Sequence, residues 1–203
     1  MLSACGGSDI KERKAMGIDE INMCVAEKDK AAYSMDNWEI LCNAAEAGKA
    51  EIGKAKNASQ VEQIVDGAKQ AIDRVLREQD IQEFFEIAIA TDANSSETNK
   101  DIKIKISLTN KSEKDLKISY DFLWTPDFPT ASRYPASTEA PEEYSKRVFK
   151  QGETITEVED ISNYFDPGSH EIRYRACFRL GWDEIESKVS LWSNTITILI
   201  PEV

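Results

Sequence analysis

The stretch Asp101-Ile-Lys-Ile-Lys-Ile-Ser-Leu-Thr-Asn-Lys-Ser-Glu-Lys-Asp-Leu-Lys-Ile-Ser-Tyr-Asp-Phe-Leu-Trp124 decides how the chain is read. Ile102, Ile104, Ile106 and Leu108 alternate with Lys103, Lys105 and Ser107, and Leu116, Ile118, Tyr120 and Phe122 repeat the alternation after a polar turn. A period of two puts the apolar side chains of each strand on one face. Asn110, Ser112 and Asp115 supply turn chemistry between the strands. The expectation is an antiparallel pair with one dry face and one wet face, and the dry face must be covered.

Moving outward, the second half of the chain reads as that cover. Phe85, Ile87 and Ile89 alternate with Glu86, Ala88 and Ala90. Pro126, Pro129, Pro135 and Pro141 mark residues 125–141 as a long irregular connection. Strands are expected around Tyr144 to Lys150 and Thr154 to Asp160, then through Ile172, Tyr174, Ala176 and Phe178, and last through Ile196, Ile198 and Ile200. About seven short strands with turns at these intervals fit a β-sandwich.

Upstream the period is helical. Val61, Ile64, Val65, Ala68, Ala71, Ile72, Val75 and Leu76 form one stripe, with Ser59 and Glu62 as a capping-box pattern at its start. A second helix begins near Ser34 and turns Trp38, Leu41, Ala45 and Ile52 inward, and Gly48 and Gly53 weaken its end. The first runs from about Ile18 to Lys30. Three short helices with short connections read as a small bundle, and the charged residues 9–16 before them read as a tether. The expected fold class is α+β: a small N-terminal helical bundle (17–79) after a tether (1–16), then an all-β sandwich (80–203).

Composition narrows the function classes. The 203 residues carry 37 Asp and Glu against 25 Lys and Arg, a formal net charge of −12. Binding nucleic acid needs cations to neutralise phosphates, so no nucleic-acid partner is expected. No run approaches the ~18 apolar residues that span a bilayer. Cys5, Cys24, Cys42 and Cys177 lack Cys-x-x-Cys spacing and His170 is the single histidine, which argues against a structural zinc site. A hydrolytic triad needs a base beside its nucleophile, and only His170 is on offer. Glu157, Glu159 and Asp160 lack the spacing of a calcium loop and read as a solvated acidic strand. Arg173, Arg175 and Arg179 point away from Tyr174 and Phe178, and pairing with acids such as Asp121 is expected of them. No metal, cofactor or catalytic residue is assigned.

Three resemblances add to this. Leu2-Ser3-Ala4-Cys5, followed by Gly6-Gly7-Ser8, resembles a bacterial lipobox. It implies lipid attachment at Cys5 and an extracytoplasmic protein anchored to a bacterial membrane; if Met1 is the true start, the protein is cytoplasmic instead. Tyr33-Ser34, Trp38, Leu41, Asn57-Ala58-Ser59-Gln60, Ala68 and Ala71-Ile72-Asp73 resemble the FIVAR module of bacterial cell-surface proteins over residues 17–76. Trp38 is read as a core anchor. Leu108-Thr109-Asn110-Lys111-Ser112, Gly152-Glu153-Thr154-Ile155, Asp166-Pro167-Gly168 and Ser193-Asn194-Thr195-Ile196 resemble bacterial immunoglobulin-like domains over residues 82–203. There His170 replaces a tyrosine that often bonds back to the turn. Asn110 to Phe122 is also similar to the bacterial intracellular proteinase inhibitor family.

The functional expectation is a non-enzymatic cell-surface lipoprotein whose sandwich binds an extracellular glycan or protein; a proteinase-inhibitor-like module and a carboxylate-based enzyme are the alternatives. Immunoglobulin-like strand order gathers Trp124, Phe128, Tyr134, Tyr164 and Phe165 at one end of the sandwich, as candidate ligand-binding residues or as a plug of the core. Cys24 and Cys42 each lie nine residues from Tyr33, the turn between the first two helices, so a disulfide between them is expected.

Overall fold

The computed structural model describes residues 6–91, 102–121, 123–131 and 145–200, with side chains from residue 9 onward. The class is mixed α and β: four helices, then antiparallel sheets. The chain divides into two compact units, Met1–Gln79 with Ile185–Ser187, and Asp80–Glu184 with Lys188–Val203.

In the first unit, α1 (Gly6–Ala26), α2 (Met35–Lys54) and α3 (Ala58–Asp73) share one core. Ile21, Leu41, Ile52, Val61 and Ile72 are fully buried in it, and Trp38 packs on its margin beside Tyr33. Residues 9–16, expected as a tether, are helical. They are rich in Lys, Glu and Arg, which favour helix, and Arg13 and Lys14 bond to Glu20 and to the Gly53 carbonyl. Ser34 caps α2, its hydroxyl accepting from the Asn37 N–H. The cap of α3 lies two residues earlier than the sequence pattern suggests. Asn57 Oδ1 accepts from the Gln60 N–H, and Gln60 Oε1 accepts from the Lys56 N–H. An asparagine at the N-cap serves as well as serine. Gly48 does more than weaken α2: a Cβ there would lie 2.6 Å from the Ala68 Cβ, so α2 and α3 touch at backbone distance.

The cysteine expectation is corrected. Cys24 and Cys42 are free, half-buried thiols, and the bridge expected between them is not formed. Counting from Tyr33 assumed a symmetric hairpin. Cys24 stands two residues before the end of α1, whereas Cys42 stands seven residues into α2. At 1.5 Å of rise per residue, that five-residue difference offsets the two by about 7 Å along the helices. Burial raises the Cys24 thiol above its ordinary range, and an unpaired thiol of this kind packs as a small apolar side chain.

In the second unit, α4 (Glu78–Phe84) runs directly into β1 (Phe85–Thr91). One sheet has the order β1-β2-β6, with β2 at Lys103–Asn110 and β6 at Thr154–Asp160. The other has the order β4-β7-β3-β5, made of β3 (Leu116–Tyr120), β4 (Trp124–Asp127), β5 (Ser145–Phe149) and β7 (Gly168–Leu180). β8 (Ser187–Trp192) and β9 (Ile196–Ile200) also pair with β7.

The stretch that opened the sequence reading makes two strands, but they are not paired with each other. β2 lies between β1 and β6 in one sheet, and β3 lies between β7 and β5 in the other. The connection at Asn110 carries the chain from sheet to sheet. Asn110 is fully buried. Its amide nitrogen lies 3.0, 3.0 and 3.1 Å from the carbonyl oxygens of Lys114, Phe149 and Lys150, and its Oδ1 accepts from the N–H and hydroxyl of Ser112. One side chain thus joins the outgoing loop to the end of β5. Between the sheets, Phe85 of β1 stands edge-on to Phe178 of β7 at 5.0 Å.

β4 occupies the start of the connection that was expected to be irregular. It contains Pro126, which cannot donate to a ladder, and among the described residues it pairs on one side only, with β7. A proline is tolerated at such an edge.

Candidate functional site

Three of the five expected ligand-binding residues come together. The Phe128 ring, just after β4, lies 6.2 Å from that of Tyr164, 5.5 Å from that of Phe165 and 5.4 Å from that of Tyr174. Trp124 sits four residues earlier on β4, opposite Ala176, and so faces the same side of the sheet as that buried alanine. Tyr134 and Cys5 lie outside the described residues.

Local chemistry sets each ring. The turn between β6 and β7 is built on Asp160, whose carboxylate accepts from the Ser162 N–H, and on Asn163 at φ +72°. An asparagine tolerates that left-handed backbone better than most residues. The turn buries Ile161 and Phe165 and leaves Tyr164 half-buried. His170 then locks the arrangement. Its Nε2 donates to the Asp166 carbonyl at 2.8 Å, and in the neutral ring its Nδ1 then accepts from the Thr130 hydroxyl at 2.8 Å. His170 therefore bonds back to the turn, and both its nitrogens are engaged. It also stacks on Phe165 at 4.7 Å.

The cluster holds one carboxyl that the sequence did not single out. Glu159 lies opposite Ile104 in the β2–β6 register, on the face that Ile104 buries. Its Oε2 accepts a 2.6 Å hydrogen bond from the Tyr174 hydroxyl. Burial raises the Glu159 carboxyl above the ordinary range; the bond from Tyr174 works the other way, and the Glu157 charge adds to the rise. The Tyr164 hydroxyl is also raised, by burial and then by the charges of Glu159 and Asp160. Of the three acids expected on a solvated strand, Glu157 and Asp160 are exposed and Glu159 is not. Parity alone does not single it out: positions 155, 157 and 159 share one face, and Glu157, opposite Ile106, is exposed.

Chemically the arrangement is a mixed surface. Phe165 and Tyr174 are 3% and 0% exposed and belong to the core. Phe128 is half-buried and rests on both, and Tyr164, also half-buried, lies against Phe128. Among the described residues no cluster of His, Cys, Asp and Glu side chains is arranged to hold a metal ion, and no described helix is long and apolar enough to cross a membrane.

No family model matches the chain, and no curated protein matches it. Among solved structures, a β-glucosidase of Erythrobacter marinus is similar over 54% of this chain and 15% of its own, at 14% identity and a TM-score of 0.26. A β-glucosidase of Listeria innocua is similar over 59% and 16%, at 12% identity and a TM-score of 0.25. One of Kluyveromyces marxianus, in complex with glucose, is similar over 57% and 14%, at 17% identity and a TM-score of 0.20. The chain thus spans about a sixth of the length of these proteins or less.

Proposed function

We propose that this chain is a non-enzymatic surface lipoprotein. In this reading a FIVAR-like three-helix module is followed by an immunoglobulin-like sandwich, the lipid is carried on Cys5, and the sandwich takes a glycan or protein partner at Phe128 and Tyr164. The observation that supports the binding role is the packing of half-buried Phe128 against two buried rings, with half-buried Tyr164 against Phe128 in turn. Rings already held in place lose little entropy when a partner stacks on them. The Leu2-Ser3-Ala4-Cys5 motif supports the anchor, and mass spectrometry of Cys5 in host membranes tests it.

The binding role is tested with Phe128→Ala, Tyr164→Ala and Phe165→Ala against a panel of neutral and acidic polysaccharides. Phe165→Ala removes a buried ring and should cost about 3–5 kcal/mol of stability. Tyr164→Ala should abolish retention on the bound polysaccharide while the melting midpoint stays near wild type. The reading fails if the wild type is retained on nothing and Tyr164→Ala destabilises as much as Phe165→Ala, because the rings then plug the core.

A further inference from the structure

The outer face of β7 carries a row of cations in an acidic protein. Arg173, Arg175 and Arg179 alternate with the buried Ile172, Tyr174, Phe178 and Leu180, while Cys177 takes the remaining outward place. Arg173 is neutralised: its Nε donates to Asp127 Oδ2 at 2.6 Å. Arg175 is not. It stands opposite Thr125 in the β4–β7 register. Among the described residues no carboxylate pairs with it, and its buried Nε has no hydrogen-bond partner. Its one described interaction is with the indole of Trp192, whose centroid lies 5.2 Å from the Arg175 guanidinium and 4.3 Å from that of Arg173. Trp192 remains 42% exposed.

The Arg175 Nε is buried, so a ligand reaches this guanidinium at its two terminal nitrogens, and among the described residues no carboxylate pairs with them. Those nitrogens are open to an anion. We propose that this sheet face binds a uronate-bearing polysaccharide, with a sugar carboxylate on Arg175 and a sugar ring beside the exposed part of Trp192.

The guanidinium selects the ligand's charged group, since its planar fork matches a carboxylate with two parallel hydrogen bonds. The sheet selects a saccharide over an extended peptide. β7 is an interior strand, flanked by β4 and β3 and also paired by β8 and β9. Its ladder is occupied, so a peptide cannot add to it as a strand. Recognition falls to side chains, and an aromatic ring beside a cation suits an acidic sugar. The face is separate in residues from the Phe128 and Tyr164 cluster, so either proposal can fail alone.

The test is calorimetric titration of the full chain with polygalacturonate, with neutral dextran and dextran sulfate in parallel. Polygalacturonate should bind and dextran should not. Arg175→Gln and Trp192→Ala should each weaken binding at least tenfold with the melting midpoint unchanged. Arg175→Lys keeps the charge without the fork and should restore only a minor part of the affinity. The proposal is overturned if the wild type ignores polygalacturonate, if Arg175→Lys binds as wild type, or if dextran sulfate binds equally well, which would show that charge alone is read. Should Arg175→Gln fail to fold, Trp192→Ala and Arg175→Lys decide by the same criteria.

Discussion

Tyr174 of β7 donates its hydroxyl proton to Glu159 of β6 across 2.6 Å, joining the two sheets through one buried phenol and one half-buried carboxyl. Because burial holds the Glu159 carboxyl above its ordinary range, against the opposing bond from Tyr174, the folded protein keeps a proton on Glu159 more tightly than the unfolded chain does. The stability that this adds is complete below the unfolded value and drains away as pH rises through the folded one. Glu159→Gln keeps an acceptor for Tyr174 and removes the titration. Its melting midpoint should overtake that of the wild type progressively as pH rises from 4 to 7. A difference that stays constant over that range refutes the assignment.

Tyr174→Phe leaves the carboxyl without its donor. A hydrogen bond to a charged group is worth about 2 kcal/mol, and a loss of that order is expected at neutral pH in chemical denaturation. The loss should shrink in acid, where Glu159 is protonated and neutral.

Asn110→Asp exchanges one atom and reverses the chemistry of the sheet-to-sheet connection. A carboxylate oxygen would face the carbonyls of Lys114, Phe149 and Lys150, where the amide now donates. Unfolding should become easier by more than about 3 kcal/mol, since a buried charge loses its donors and meets acceptors. Asn110→Ser, smaller and neutral, should cost less; the opposite order would show that volume matters more than polarity here.

Two glycines separate contact from propensity. Nothing lies within 4 Å of a Cβ added at Gly67, whereas one at Gly48 meets the Ala68 Cβ at 2.6 Å. Gly67→Ala should raise stability by about 1 kcal/mol. Gly48→Ala should lower it despite the same gain in helix propensity. Thermal unfolding of both variants is the measurement.

Glu20 titrates with the sign opposite to Glu159. Hydrogen bonds from Arg13 at 2.8 Å and Lys69 at 2.9 Å hold its carboxyl below the usual range. This stabilisation is present at neutral pH and lost as pH falls through the lowered value. Glu20→Gln should melt slightly earlier than wild type at pH 7 and in low salt, and the gap should close in acid and in high salt.

The sequence by itself determined what is local. The period of two in residues 102–108 and 116–120, the period near 3.6 in residues 61–76 and the start of the second helix near Ser34 follow from which faces are apolar and where the period changes. The bond from His170 back to its turn was implied by the resemblance to immunoglobulin-like domains rather than by the residues alone, and it is formed. Tertiary structure decided what depends on partners far along the chain. Alternation fixes which face of β2 and β3 is dry, and it does so equally whether the strands pair or lie in different sheets; the carbonyls of Phe149 and Lys150, some forty residues on, draw Asn110 into the second arrangement. The Cys24–Cys42 expectation failed for the same reason, since helix offset is set by packing and not by counting from a turn. Glu159 and Arg175 carry the most specific chemistry in the β unit. In the sequence they are one acid among many and one cation in a row, because burial and an absent partner are properties of the neighbours and not of the residue.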